Sequence, residues 1–144
     1  MFWSLFSSKN QKLVKKWVKE HEQIVVLAHK VIADYSNNNH AATKKDLVSL
    51  RELAVNHIMT EDLEFYKLLK DKKRFDSKTE KLIDEFTDTF RDTKLVLMDF
   101  LSKYTRTDAV LDDEFFKTFN EIVGVLAERI AFEEKTLYAT LSAK

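Results

Sequence analysis

Residues 56–69 read NHIMTEDLEFYKLL, and on a helix His57 and Glu61 stand one turn apart on the same face. Both belong to the stripe Leu47, Leu50, Ala54, His57, Glu61, Phe65, Leu68, whose steps of three and four mark a face turned to a core. An imidazole and a carboxylate on such a face are costly to bury unless they are paired or ligate something. A second copy lies 72 positions on, at residues 128–141, ERIAFEEKTLYATL. There Arg129, Ile130, Glu133, Glu134, Leu137 and Tyr138 stand where His57, Ile58, Glu61, Asp62, Phe65 and Tyr66 stand in the first copy. The duplication keeps the carboxylate and exchanges the histidine for arginine.

The rest of the chain is consistent with helices throughout. Its 144 residues include no proline, one glycine and no cysteine, so the usual punctuators of sheets and long loops are scarce. The absence of cysteine rules out a disulfide framework and thiolate ligands. Twenty-four basic and 24 acidic residues give a formal charge of zero, with no long block of one sign, which argues against non-specific nucleic-acid binding. No apolar run approaches the roughly 20 residues that span a bilayer. The opening MFWSLFSSKN lacks a basic start and a small-residue cleavage site. The expected location is the cytoplasm.

Periodicity divides the chain into an aromatic arm at residues 1–10 and one domain at 11–144. Phe2, Trp3 and Phe6 in the arm either fold back on the domain or serve docking or self-association, with Lys9, Lys12, Lys15 and Lys16 following. Ser8 with Gln11 resembles a capping box for a first helix running to about Tyr35, with the stripe Val14, Trp17, His21, Ile24, Ala28, Val31, Tyr35. His29 lies one step off that stripe and His40 lies in the polar connection SNNNHAATKKD; both are expected in solvent. Thr43 with Asp46 predicts a second helix over about 44–70.

The charged segment KDKKRFDSKTE breaks the pattern, and Ser77 with Glu80 opens a third helix, about 78–104. Its stripe, Ile83, Phe86, Phe90, Thr93, Leu97, Phe100, Tyr104, carries no histidine. A fourth helix is capped near Asp112 and presents Phe115, Phe119, Ile122, Leu126, Arg129, Glu133 and Leu137. Gly124 inside it costs about 1 kcal/mol relative to alanine, which predicts close packing or a small pocket there. Four amphipathic helices with short polar links predict an all-α, up-down-up-down four-helix bundle.

The polar residues of the stripes are His21, His57, Glu61, Arg129 and Glu133. Two imidazoles and two carboxylates converging in a bundle core suit iron, zinc or manganese. Glu20, Asp62 and Glu134 are placed to support the ligands from outside.

With these residues in hand, the sequence resembles the hemerythrin-like family, the HHE cation-binding domains, over about Leu13 to Leu141. That family has a histidine on helix one, H-x-x-x-E on helix two, a histidine on helix three and H-x-x-x-E on helix four. His21, His57 with Glu61, and Glu133 match. The resemblance implies non-haem iron, bridging carboxylates, and the binding of dioxygen or the sensing of oxygen, nitric oxide or metal. It also exposes two departures: Phe90 (or Phe86, one turn earlier) replaces the helix-three histidine, and Arg129 replaces that of helix four. The nitrogen ligands of one metal therefore survive as His21 and His57, while those of the other are gone.

Three arrangements follow. A mononuclear site would use His21, His57, Glu61 and Glu133, with Arg129 standing near the lost metal. A metal-free network would close the same residues on one another. A dinuclear site would have to recruit Asp88, Asp92 or Glu128, which lie off the stripes. No catalytic triad or phosphate loop is present, so binding, storage or sensing is expected over turnover, with a regulatory scaffold as the alternative.

Overall fold

The computed structural model describes residues 9–70 and 77–138. Four helices follow in order: α1 (Lys9–Ser36), α2 (His40–Lys70), α3 (Ser77–Tyr104) and α4 (Asp113–Phe132). α4 runs directly into a π-helical turn, Glu133–Leu137. Each helix packs on the next and α1 closes on α4, which makes the predicted up-down-up-down bundle. The arm with Phe2, Trp3, Phe6 and Ser8, the segment 71–76, and the side chains of Phe65, Tyr66, Leu68 and Leu137 lie outside the described residues.

The predicted stripes form the core in two apolar layers. One joins Ile24, Ala28, Val31, Leu47, Leu50, Leu97, Phe100, Phe115 and Phe119 at the end nearer the α1–α2 and α3–α4 connections. The other, around Trp17, Ile83, Phe86 and Tyr138, fills the opposite end. His21, His57, Glu61, Arg129 and Glu133 are all buried, and their places on the stripes put them between the layers. Burial in both layers is what excludes water from the polar groups between them.

Two expectations need correction. α2 begins at His40, earlier than the Thr43–Asp46 pattern predicts. Asn38 takes a left-handed conformation with φ 59°, which asparagine tolerates better than most residues. Asn39 then caps the helix: its side-chain oxygen accepts from the Ala42 N–H at 3.2 Å, and Thr43 Oγ1 donates to its carbonyl at 2.7 Å. Asp46 is thereby free to turn inward, where Lys30 Nζ meets its Oδ1 at 2.8 Å. Asp112, by contrast, caps α4 as expected, its Oδ1 accepting from the Phe115 N–H at 2.9 Å. Gly124 is the second correction: a Cβ built there meets no atom within 4 Å. Neither close packing nor a pocket accounts for this glycine, and nothing in the structure explains it.

Candidate metal centre

α1 supplies His21, α2 supplies His57 and Glu61, and α4 with its π-turn supplies Arg129, Glu133 and Tyr138. Exposure of these side chains runs from none for Glu61 to 4 % for Arg129. The ligand-type atoms of His21, His57, Glu61 and Glu133 all lie within 4.8 Å of one another.

The histidines are oriented from outside. His21 Nδ1 is 3.1 Å from Glu134 Oε1, and His57 Nδ1 is 2.8 Å from Glu20 Oε1. A carboxylate accepts and does not donate, so each Nδ1 carries its hydrogen and each Nε2 faces inward. The two Nε2 atoms then stand 3.1 Å apart. Two lone pairs at that separation repel unless a cation, proton or metal, lies between them. The carboxylates around His57 favour a charge on its ring. Burial opposes its charge, but the hydrogen bond and charge of Glu61, with Glu20 behind, outweigh it and raise the pKa.

The carboxylates each divide their oxygens between two neighbours. Arg129 Nε donates to Glu133 Oε1 at 2.9 Å, and Nη2 donates to Glu61 Oε1 at 3.2 Å. The other oxygens turn to the histidines: Glu61 Oε2 is 3.1 Å from His57 Nε2, and Glu133 Oε2 is 3.5 Å from His21 Nε2. The guanidinium lies over the Phe86 and Phe90 rings at 5.1 and 5.9 Å from their centroids, and Phe86 is the more buried of the two. Both phenylalanines thus pack against the cation.

Tyr138 was not singled out by the sequence. Its hydroxyl is 2.5 Å from both Glu61 Oε2 and Glu133 Oε2, and 3.4 Å from His21 Nε2. The π-turn is responsible. The Tyr138 N–H bonds the carbonyl of Glu133, five residues back, so Tyr138 swings over the centre where α-helical spacing would have placed Leu137. A π-turn has no clear sequence signature, and only the tyrosine at the shifted position hints at it.

One hydroxyl holds one proton, so one of the two short contacts must be supplied by a protonated carboxyl. Glu61 takes up a proton more readily than Glu133: burial first, and then the charge of Glu133, push its pKa up to about 7. Burial also opposes ionisation of Glu133, but its contacts with His21 and Glu61 and the charge of Arg129 hold it at about 2. Burial and the two carboxylates raise the Tyr138 phenol far above its usual range. The charges of Glu133 and Glu61 likewise raise Arg129 against the cost of burial.

These shifts give a pH dependence with a definite sign. Glu61 rises from 4.5 to about 7, and His57 rises above 6.5, so both stabilise the metal-free fold at low pH and lose that contribution as pH rises through the folded values. Thermal melts in the presence of a chelator are expected to show stability falling between pH 4.5 and about 7. A flat profile there would mean that Glu61 does not hold the proton.

The remaining predicted residues separate clearly. Glu20 and Glu134 support the histidines as expected, but Asp62 does not: it pairs with Lys94 Nζ at 2.6 Å. Asp88, Asp92 and Glu128 are exposed, and Asp88 pairs with Arg91. His29 and His40 are exposed too, His40 stacking on Tyr35.

A four-helix bundle with a histidine and carboxylate centre between its apolar layers is the architecture of a helical metal-binding domain. The chain belongs to the hemerythrin HHE cation binding domain family, whose model matches residues 12–141. No curated protein and no solved structure matches it.

Proposed function

We propose that this protein binds one metal ion per chain, non-haem iron in first place, through His21, His57, Glu61 and Glu133. Zinc and manganese suit the same donors. The observation that carries the reading is the pair of Nε2 atoms, 3.1 Å apart, each held inward by an outer carboxylate. Two nitrogens bound to one ion at 2.0–2.1 Å stand about 3 Å apart, so the donors fit without rearrangement. Arg129 fills the place of a second metal, since it takes one oxygen from each carboxylate that would otherwise bridge two ions.

The residues would each have one task. Glu20 and Glu134 fix the ring orientations, Glu61 sheds its proton as the ion enters, and Arg129 balances the carboxylate charge. A bound iron would supply an open Lewis-acidic, redox-active position. Beside the histidines lies a cavity of ≈ 20 Å³, lined also by Ile24, Ala54, Ile58, Leu97 and Leu126. That volume suits a single water-sized guest and supports dioxygen or nitric oxide as the sensed ligand. Binding, storage or sensing therefore describes the role better than turnover.

A second reading is a metal-free regulatory bundle acting through a protein partner at the aromatic arm. In its favour, none of the buried polar atoms of His21, His57, Glu61, Arg129, Glu133 and Tyr138 lacks a hydrogen-bond partner. Elemental analysis of protein purified without a histidine tag separates the two. One metal per chain is expected; a value far below one favours the scaffold. Two metals with an oxo-bridge absorption would overturn the mononuclear reading.

A further inference from the structure

We propose that Tyr138 is itself a metal ligand, closing the centre through its phenolate oxygen. This rests on the metal-binding reading above. Five donor atoms form a closed circuit: His57 Nε2, His21 Nε2, Glu133 Oε2, Tyr138 Oη and Glu61 Oε2. Successive separations around it are 3.1, 3.5, 2.5, 2.5 and 3.1 Å. Neighbouring ligand atoms on one ion, each bonded at about 2 Å, stand about 3 Å apart. The tyrosine oxygen thus holds the position of a fifth ligand beside the other four.

The ring cannot easily turn away. It is 1 % exposed, lies nearly parallel to His21 at 5.7 Å and is tilted against Trp17 at 5.4 Å. Its backbone is fixed by the π-turn bond to Glu133. A phenol that served only to fill space would need no approach to two carboxylate oxygens and an imidazole nitrogen.

In the metal-free protein the phenolic proton is what holds these oxygens together. An entering cation replaces that proton, which leaves to solvent, and the phenolate oxygen bonds the ion; no electrons are transferred. A hard anionic oxygen beside two carboxylates favours a trivalent ion, ferric iron above zinc.

The full chain is loaded with ferric iron, freed of excess, and measured by elemental analysis, visible absorption and resonance Raman. Bound iron with an intense phenolate-to-iron charge-transfer band and enhanced phenolate ring modes is expected. Tyr138→Phe should retain iron through the other four ligands and lose both signals. Iron bound by the parent chain without the band, or a band unchanged in Tyr138→Phe, overturns the assignment. No iron bound by the parent chain overturns the metal reading and this inference with it. If Tyr138→Phe holds no iron or does not fold, the parent chain decides alone by titration with redox-silent gallium(III). One ionised tyrosine per bound gallium in the ultraviolet difference spectrum supports ligation, and gallium bound without that signal overturns it.

Discussion

Arg129→Ala is expected to destabilise the metal-free protein by roughly 3 kcal/mol or more, the range for breaking a buried ion pair by removing one partner. Arg129 is 4 % exposed, and its guanidinium makes one bond to each of Glu133 and Glu61. Without it, Glu133 loses the charge that helps hold its pKa at about 2, and an unneutralised carboxylate is left buried between the apolar layers. The vacated volume beside Phe86 and Phe90 adds a cavity to the electrostatic loss. The defect should be largest at neutral pH and shrink in acid, where Glu133 of the variant takes up a proton. Arg129→Lys should recover part of the loss, because it restores the charge but not the fork that reaches both carboxylates. Thermal melts of the three chains test this. A parent-like melt for Arg129→Ala would show that the guanidinium contributes nothing to the fold.

The second large effect is a gain of capacity. Arg129→His combined with Phe86→His is expected to raise binding from one metal toward two per chain. Phe86 is the first choice because it is the more buried phenylalanine and its ring lies closer to the guanidinium; Phe90→His is the alternative register. Arg129 holds the Oε1 atoms of Glu61 and Glu133 and releases them when it is replaced, and Phe86 and Phe90 lie against its guanidinium. Each carboxylate would then have one oxygen for each ion. Metal-free, the double variant should be less stable than the parent, since two more polar groups enter the core. Ferrous iron or zinc should restore that stability through linkage. Elemental analysis with melts in each state reads both effects. If neither register takes a second ion while the helical content is unchanged, the correspondence of α3 and α4 with the family pattern is wrong.

How far the sequence carried the reading depended on whether each feature obeys helical period. His21, His57, Glu61, Arg129 and Glu133 lie on regular stripes, so their burial between two apolar layers was legible in steps of three and four. The start of α2 was not, because an asparagine at 39 and the Thr43–Asp46 pair both suit a cap, and it takes the part-buried bond from Lys30 to show Asp46 otherwise engaged. The outer carboxylates were legible only in part. Glu20 adjoins His21 in sequence yet reaches across to His57, while Asp62 adjoins Glu61 and turns to Lys94. Adjacency along a chain fixes neither direction nor partner. Tyr138 was missed for a single reason: the period itself changes just before it.

That change makes the identity of the residue over the centre a matter of winding as well as of composition. A π-turn is one residue more than an α-helix needs, so a helical wheel drawn through α4 holds to Phe132 and is out of phase by about 100° at Tyr138. Removing Lys135 or Thr136 would let the helix close on α-helical spacing with the phenol, then four residues beyond Glu133, still over the centre, whereas an unbroken α-helix through the present sequence would put Leu137 there instead. The exposed Lys135 and Thr136 each count as a spacer in this turn. A one-residue gap at this turn in a related sequence would therefore keep its tyrosine over the centre, while the same length wound as plain α-helix would exchange the phenol for the residue before it.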